Sequence, residues 1–469
     1  MDIEKTMKEI ETQYSVGDIT VDNIQIWGLL RTLYIAKCID KNITSDGWNK
    51  HIKRQPNPST IKKIKRLRNI SYGIHNVFRK YDLWVFSDGL ELRELNGKLV
   101  NRLFEPILKE KSCVLVENPA TGLHVPLAKR DNKSIISLDI FNIMAQLIKY
   151  KEKTIDGEEI LREINNEYDL QVDYHRAIHR FFAYRRVFGK FLDIYRPKAV
   201  ILSSYAGPTF QTLIHTAKEK GIPTIEMQHG AITKNFPFYT PCVVTDKKFF
   251  PDYILTFGEK SKKEVRHEFI DPKNIFSVGI PYLEYINETH NEKLVEQFQE
   301  IRQRYKHIVA VTAQWTVESK LINFIKNSAV SAPEIVFIYI PRDASNNYKN
   351  IFPKNVMVMP EFNAYQLIKY SDFHATVYST CVIEAPFFGV RNILINIDGR
   401  ARQTYGDMLT NEDVSLFVES EAEFVHTIRT WGEPKKESVI KSHSDFLATH
   451  PNKRLLKTIE QIIANGVKV

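Results

Sequence analysis

From residue 198 onward the chain alternates short, wholly apolar runs with polar helical stretches, and this pattern restricts the fold more than any other feature. Segments 198–203, 223–228, 252–257 and 274–278 read as strands, with helices over 208–220 and 258–269 between them. A second series follows, with strands at 307–312, 334–340, 355–359, 373–378 and 392–396 and helices over 291–306, 318–327, 364–370 and 380–388. Runs without polar alternation suit strands buried on both faces, and strands separated by helices imply βαβ units and parallel sheets. The fold class is therefore α/β, with two successive Rossmann-like doubly wound domains facing a cleft. The predicted divisions are an N-terminal domain over 1–270, a linker over 271–290 and a C-terminal domain over 291–450. A helix within 451–469, apolar at Leu455, Leu456, Ile459, Ile462 and Ile463, is predicted to pack back on the N-terminal domain. Upstream, 83–86 and 113–116 are candidate strands of the first sheet, Asn96-Gly97 marks a hairpin turn, and 137–195 reads as mostly helical cover.

Composition matters mainly through where the charge lies. The 65 Lys+Arg and 56 Asp+Glu give a formal charge of +9. Segment 47–81 alone holds ten basic residues and no acid, so the remainder of the chain is near neutral. Within it, Ile61, Ile64, Leu67 and Ile70 recur at i, i+3 among Lys and Arg, the pattern of a basic amphipathic helix. Such a helix suits an anionic membrane surface, or equally a solvated helix packed on the domain by its isoleucines. Stacking aromatics are too few for nucleic-acid binding. No apolar run is long enough to span a bilayer, and the opening residues carry no apolar signal core. The expected location is cytoplasmic, peripheral on the inner face of the plasma membrane where 47–81 reaches it.

Ligands on open α/β sheets sit beyond the carboxyl ends of strands, so the informative residues follow each strand. In the first domain these include Ser203-Ser204-Tyr205 and Gln228-His229-Gly230. In the second they include Thr312, Gln314, Arg342, Tyr378, Ser379 and Thr380. Ser379-Thr380 closes a strand and opens a helix, which suits either a helix cap or a phosphate. Glu384, one turn later, could accept from a ribose diol or be an ordinary helix glutamate. His229 is the candidate for proton transfer, since histidine titrates in the right range, and Glu226 is the reserve. A hydrogen-bonded structural histidine is the alternative. There is no DxD, no GxGxxG after a strand, no GxxxxGK[ST] and no zinc-type cluster in the sequence. No metal and no cofactor are therefore expected.

With these residues in place, 378–396 resembles the donor-side signature of GT-B glycosyltransferases: a Ser/Thr pair, Glu384-Ala385 one turn on, and Gly389 before the next strand. Glu226-Met-Gln-His229-Gly230 is similar to bacterial surface and capsular polysaccharide transferases. The resemblance implies a metal-independent glycosyltransferase, inverting, that moves a sugar from a nucleotide-sugar donor to a surface glycan or lipid-linked glycan acceptor. It implies catalytic His229 and Glu226, with Thr312, Gln314, Arg342, Tyr378, Ser379, Thr380 and Glu384 on the donor. Two enzymes of the same architecture are the alternatives, a polyol-phosphate transferase of teichoic-acid type and a nucleotide-sugar 2-epimerase. Where relatives carry a Lys-Pro-His-Pro loop, this chain has Pro341-Arg342-Asp343, so the donor type stays open.

Overall fold

The structure, a computed structural model, describes residues 3–45, 67–119, 122–149, 153–232, 237–243, 246–342, 348, 351–432 and 435–466. The basic run between 47 and 66 lies outside the described residues. The chain divides into two compact units, one formed by Met1–Pro281 with His450–Val469 and the other by Tyr282–Thr449.

In the first unit seven parallel strands form one sheet: β1 Leu83–Asp88, β2 Cys113–Asn118, β3 Ile135–Ser137, β4 Ala199–Leu202, β5 Thr224–Met227, β6 Tyr253–Thr256 and β7 Ile275–Ser277. Their order is β7-β6-β5-β4-β1-β2-β3. The chain runs outward from β1 to β3, then returns to the other side of β1 with β4. The order therefore reverses between β1 and β4, which opens a crevice beyond their carboxyl ends. Strands β4 and β5 are buried along their whole length, because helices cover both faces.

Helix α1, Tyr174–Tyr195, begins with Asp173 accepting from the Arg176 N–H at 3.0 Å. It buries Ala177, Ile178, Phe181, Tyr184, Val187, Phe188 and Leu192, the i, i+3, i+4 stripe of a helix laid on a core. Helix α2, Pro208–Glu219, follows β4 and packs on α1. A satellite core under the N-terminal helices is pinned by a buried Arg31–Glu11 pair at 2.6 Å, with Trp27 donating to Glu11 at 3.1 Å. The C-terminal helix Pro451–Asn465 buries Leu455, Ile459 and Ile462 and contacts Glu105–Glu110 within this unit.

The second unit carries a six-stranded parallel sheet: β8 His307–Thr312, β9 Ile335–Ile340, β10 Val356–Met357, β11 Phe373–Thr376, β12 Arg391–Ile395 and β13 Ser415–Val418. The order β10-β9-β8-β11-β12-β13 again reverses at its first strand, here between β8 and β11. Each unit is thus a doubly wound α/β domain with one switch point, and the fold class is the two-domain α/β architecture of the GT-B kind.

The sequence predicts neither β3 nor β13. The Asn96-Gly97 turn does join an antiparallel pair, Leu92–Leu95 with Lys98–Asn101, and both turn residues have positive φ (51° and 76°). The helix expected over 258–269 is confined to Glu259–Glu264. That expected over 380–388 is four residues, Cys381–Glu384, followed by a 3-10 turn over Ala385–Phe388. Pro386 causes the change, because it has no N–H to give the Val382 carbonyl. The Asn392 side-chain amide on β12 donates to that carbonyl instead, at 2.8 Å.

Candidate functional site

Both sets of residues expected to carry chemistry lie at the switch points. In the first unit, β1 ends at Asp88, β4 leads into Ser203, and β5 leads into Gln228-His229-Gly230. Gln228 ties this loop to the next strand: its Oε1 accepts from the Phe257 N–H at 2.6 Å and its Nε2 donates to the Gly230 carbonyl at 2.7 Å. The His229 ring is half-buried beside the Ser203 carbonyl. Its Nδ1 is buried and has no partner among the described residues. In a neutral ring one nitrogen carries no proton, the form required of a base. Burial lowers the ring's pKa and Arg102 lowers it further, while Glu91, Asp88 and the Ser203 carbonyl act the other way; the net direction is down. His229 is therefore neutral at neutral pH.

Two residues that sequence reasoning missed fix this loop. The Arg102 guanidinium donates through Nη2 to the His229 carbonyl and through Nε to Glu91 Oε2 at 2.5 Å. Both side chains are buried. The signal was present in the hairpin register: Leu92 pairs with Asn101, so Glu91 and Arg102 flank the ladder and meet across it. Asp88 accepts from Asn118 at 3.2 Å and caps the Leu90 N–H at 3.2 Å.

Glu226 is elsewhere. It is wholly buried in the core, where its Oε1 accepts from the Tyr205 N–H at 3.1 Å and the Tyr239 hydroxyl at 2.8 Å. Burial pushes its carboxyl up to about 8, against the hydrogen bonds from Tyr239 and Tyr205 that favour ionisation. The carboxylates that act most on the His229 ring are Glu91 and Asp88.

In the second unit, Thr312 and Gln314 follow β8, and Tyr378, Ser379 and Thr380 follow the adjacent strand β11. Thr312 is engaged inward. Its Oγ1 bonds His374 Nε2 at 2.9 Å, His374 Nδ1 bonds Asn392 Oδ1 at 2.8 Å, and Asn392 Nδ2 donates to Ser415 Oγ at 3.1 Å. This line of polar groups crosses four strands inside the sheet. Since Asn392 Oδ1 can only accept, His374 carries its proton on Nδ1, and Nε2 accepts the Thr312 hydroxyl. Gln314 Nε2 donates to Thr376 Oγ1 at 2.9 Å, and that hydroxyl donates to the Thr312 carbonyl at 2.9 Å. Gln314 Oε1 is buried and has no partner among the described residues.

Arg342 follows β9 and is exposed, with its guanidinium 5.8 Å from the centroid of the Trp315 ring, itself 56% exposed. Ser379 and Thr380 open a helix of one turn, so little dipole stands behind them. Ser379 Oγ accepts from the Cys381 N–H at 3.3 Å, a local turn bond made one residue before the N-cap Thr380. Glu384 faces the interior, with Oε2 accepting from the Tyr365 hydroxyl at 2.9 Å. A ribose contact by that oxygen would compete with Tyr365.

No protein-family model matches this sequence. No curated relative matches it. Among solved structures it is similar to a Listeria monocytogenes protein provisionally assigned as a UDP-N-acetylglucosamine 2-epimerase, at 13% identity and TM-score 0.50, over 82% of this chain and 96% of that one. It is also similar to the UDP-GlcNAc 2-epimerase of Neisseria meningitidis bound to UDP-GlcNAc (12% identity, TM-score 0.48, 81% of this chain and 100% of that one). A third is the calicheamicin glycosyltransferase CalG4 (12% identity, TM-score 0.49, 84% and 100%). At such identities the likeness concerns the fold, and of these three the Listeria structure, at TM-score 0.50, bears on it.

Proposed function

We propose that this chain is an enzyme acting on a nucleotide-linked sugar, with His229 as its proton-transferring group. The observation that carries the reading is a neutral, half-buried His229 at the first switch point, in the loop that Arg102 fixes by its bond to the His229 carbonyl. Gln314, Tyr378, Ser379, Thr380 and Arg342 are assigned to the nucleotide and its phosphates, with Thr312 holding Gln314 in place through Thr376. Hydroxyls and Arg342 would then meet the phosphate charge. Glu226 is assigned a core role, and Glu384 the shaping of the loop after β11.

Two reactions use such groups. In glycosyl transfer, the neutral His229 ring takes the proton of an acceptor hydroxyl as its oxygen bonds the anomeric carbon, and the nucleotide leaves with the electron pair of the broken C–O bond. In 2-epimerisation a proton leaves C2 and another returns on the opposite face, which calls for more than one proton-bearing group. Asp88, whose charge acts on the His229 ring, is a second such group, and the Listeria fold likeness points the same way. Epimerisation is therefore the better supported reaction. Transfer to a surface glycan is the second reading, carried by the His-Gly loop.

A thermal-shift panel of UDP, GDP, CDP and CMP tests the common premise, and stabilisation by none of them would refute it. Incubation with UDP-GlcNAc in D2O then separates the reactions. Deuterium at C2 without any acceptor supports epimerisation, whereas nucleotide release that requires a glycan acceptor supports transfer. A response to CDP or CMP alone would redirect the second reading to polyol-phosphate transfer.

A further inference from the structure

Several large apolar side chains are exposed in the first unit, Leu90, Met144 and Leu147 among them, and four others lie where the basic stretch joins the domain. Phe78 is 83% exposed and Ile194 62%, with Ile74 and Leu67 also exposed. Phe78 closes the 3-10 segment Ile74–Phe78, and Ile194 lies in the last turn of α1. The two elements are joined: the Tyr195 hydroxyl donates to the Val77 carbonyl, and Val77, Tyr81, Phe191 and Tyr195 pack on one core cluster. Val77 and Tyr195 thus face inward while their chain neighbours Phe78 and Ile194 face out. A folded monomer gains nothing from exposing them there.

The charge around this face has one sign. Arg68, Arg79, Lys80 and Arg196 are exposed. The nearby acids are already neutralised, Asp82 by Lys198 at 3.0 Å and Asp193 by Lys220 at 2.6 Å. In sequence, seven further cations and no acid lie between 50 and 66.

We propose that the face carrying Ile74, Phe78 and Ile194 docks on an anionic lipid bilayer. Phe78 and Ile194 enter the boundary between headgroups and acyl chains, and the surrounding Arg and Lys meet lipid phosphates. Each cation brought to an anionic surface raises affinity about fivefold. A nucleic-acid backbone would meet the cations and leave the aliphatic side chains without a partner, so a bilayer accounts for both halves of the surface.

The test is flotation of the full-length protein with vesicles of phosphatidylcholine alone and of phosphatidylcholine mixed with phosphatidylglycerol, at low and high salt. The parent should float only with the anionic vesicles and detach at high salt. The double substitution Phe78→Ser, Ile194→Ser should lower partitioning at least about tenfold with the thermal transition unchanged, since both side chains are already in solvent. Phe78→Leu should keep most of the binding, and Arg79→Gln with Lys80→Gln should weaken it and flatten its salt dependence. The proposal is overturned if the double Ser variant binds like the parent, if neutral vesicles bind equally well, or if neither vesicle binds and the substitutions alter only self-association.

Discussion

Acidification should drive the stabilities of the two units in opposite directions. In the second unit His374 and His443 are buried without charge, His374 between Thr312 and Asn392 and His443 with Nε2 on the Ile383 carbonyl at 2.9 Å. Burial pulls both down to about 4 from an ordinary 6.5. A base depressed in the folded state is protonated first in the unfolded chain. Its contribution is therefore present above 6.5 and is lost as the pH falls toward 4. Between pH 7 and pH 5 the loss is about 2 kcal/mol for each histidine, or about 4 kcal/mol together.

The first unit behaves in the opposite sense. Burial raises Glu226 to about 8 and Glu105 to about 7, so the unfolded chain ionises first and stability is lost as pH rises. Lowering the pH from 7 to 5 should stabilise this unit by about 2 kcal/mol through each of them. Carboxyls held low, such as Glu117, scarcely contribute in this window, because pH 5 is still above their unfolded pKa. For Glu117 burial acts upward, but the His124 hydrogen bond and the Arg130 charge outweigh it.

Hydrogen exchange by mass spectrometry at pH 7 and pH 5, corrected for intrinsic exchange, resolves peptides of β8, β11 and β12 from those of β1, β4 and β5. Protection should fall in the first group and rise in the second. His374→Gln should remove about half of the acid loss in the second unit. Equal protection at both pH values, or a His374 ring that titrates near 6.5, would refute the burial argument.

Three other perturbations address separate parts of the structure. The activity of the site should rise with pH through a midpoint below the usual histidine value, because His229 must be neutral to accept a proton; a pH–rate profile with no such acid limb would remove it from that role. Arg102→Met leaves Glu91 buried without its partner and should cost about 3 kcal/mol in urea unfolding, and the loss should be smaller in the Arg102→Met, Glu91→Gln double variant. Gly389 has φ +76°, and a Cβ there would lie 2.5 Å from Lys436 Cβ, so Gly389→Ala should lower stability by at least about 1 kcal/mol while Lys436→Gly partly restores it.

What could be read in the chain follows from how each signal arises. Strands β4, β5, β8 and β9 are legible because both faces are covered, which forces unbroken apolar runs. β3 spans only Ile135–Ser137, too short for such a run, and β13 is half-exposed at Leu416 and Phe417. The site candidates were legible as positions after strands, because switch points follow from strand order. Their orientations were not. In a strand buried on both faces, parity does not separate a cleft-facing Glu226 from a core one, and the Tyr205 and Tyr239 that enclose it come from other loops. Arg102 is hidden because its partner Glu91 is set by hairpin register. Thr312 stands where expected, but His374, two strand positions from any loop, decides where its hydroxyl points.

The account rests on His229 as the proton-transferring group of a nucleotide-sugar enzyme. The most direct measurement follows UDP-GlcNAc in D2O by NMR, with and without a glycan acceptor, for the parent and for His229→Ala. The account predicts turnover by the parent and a loss of about a hundredfold or more in the variant, with nucleotide-induced thermal stabilisation of the second unit retained. Parent-like turnover by a folded His229→Ala variant would contradict it.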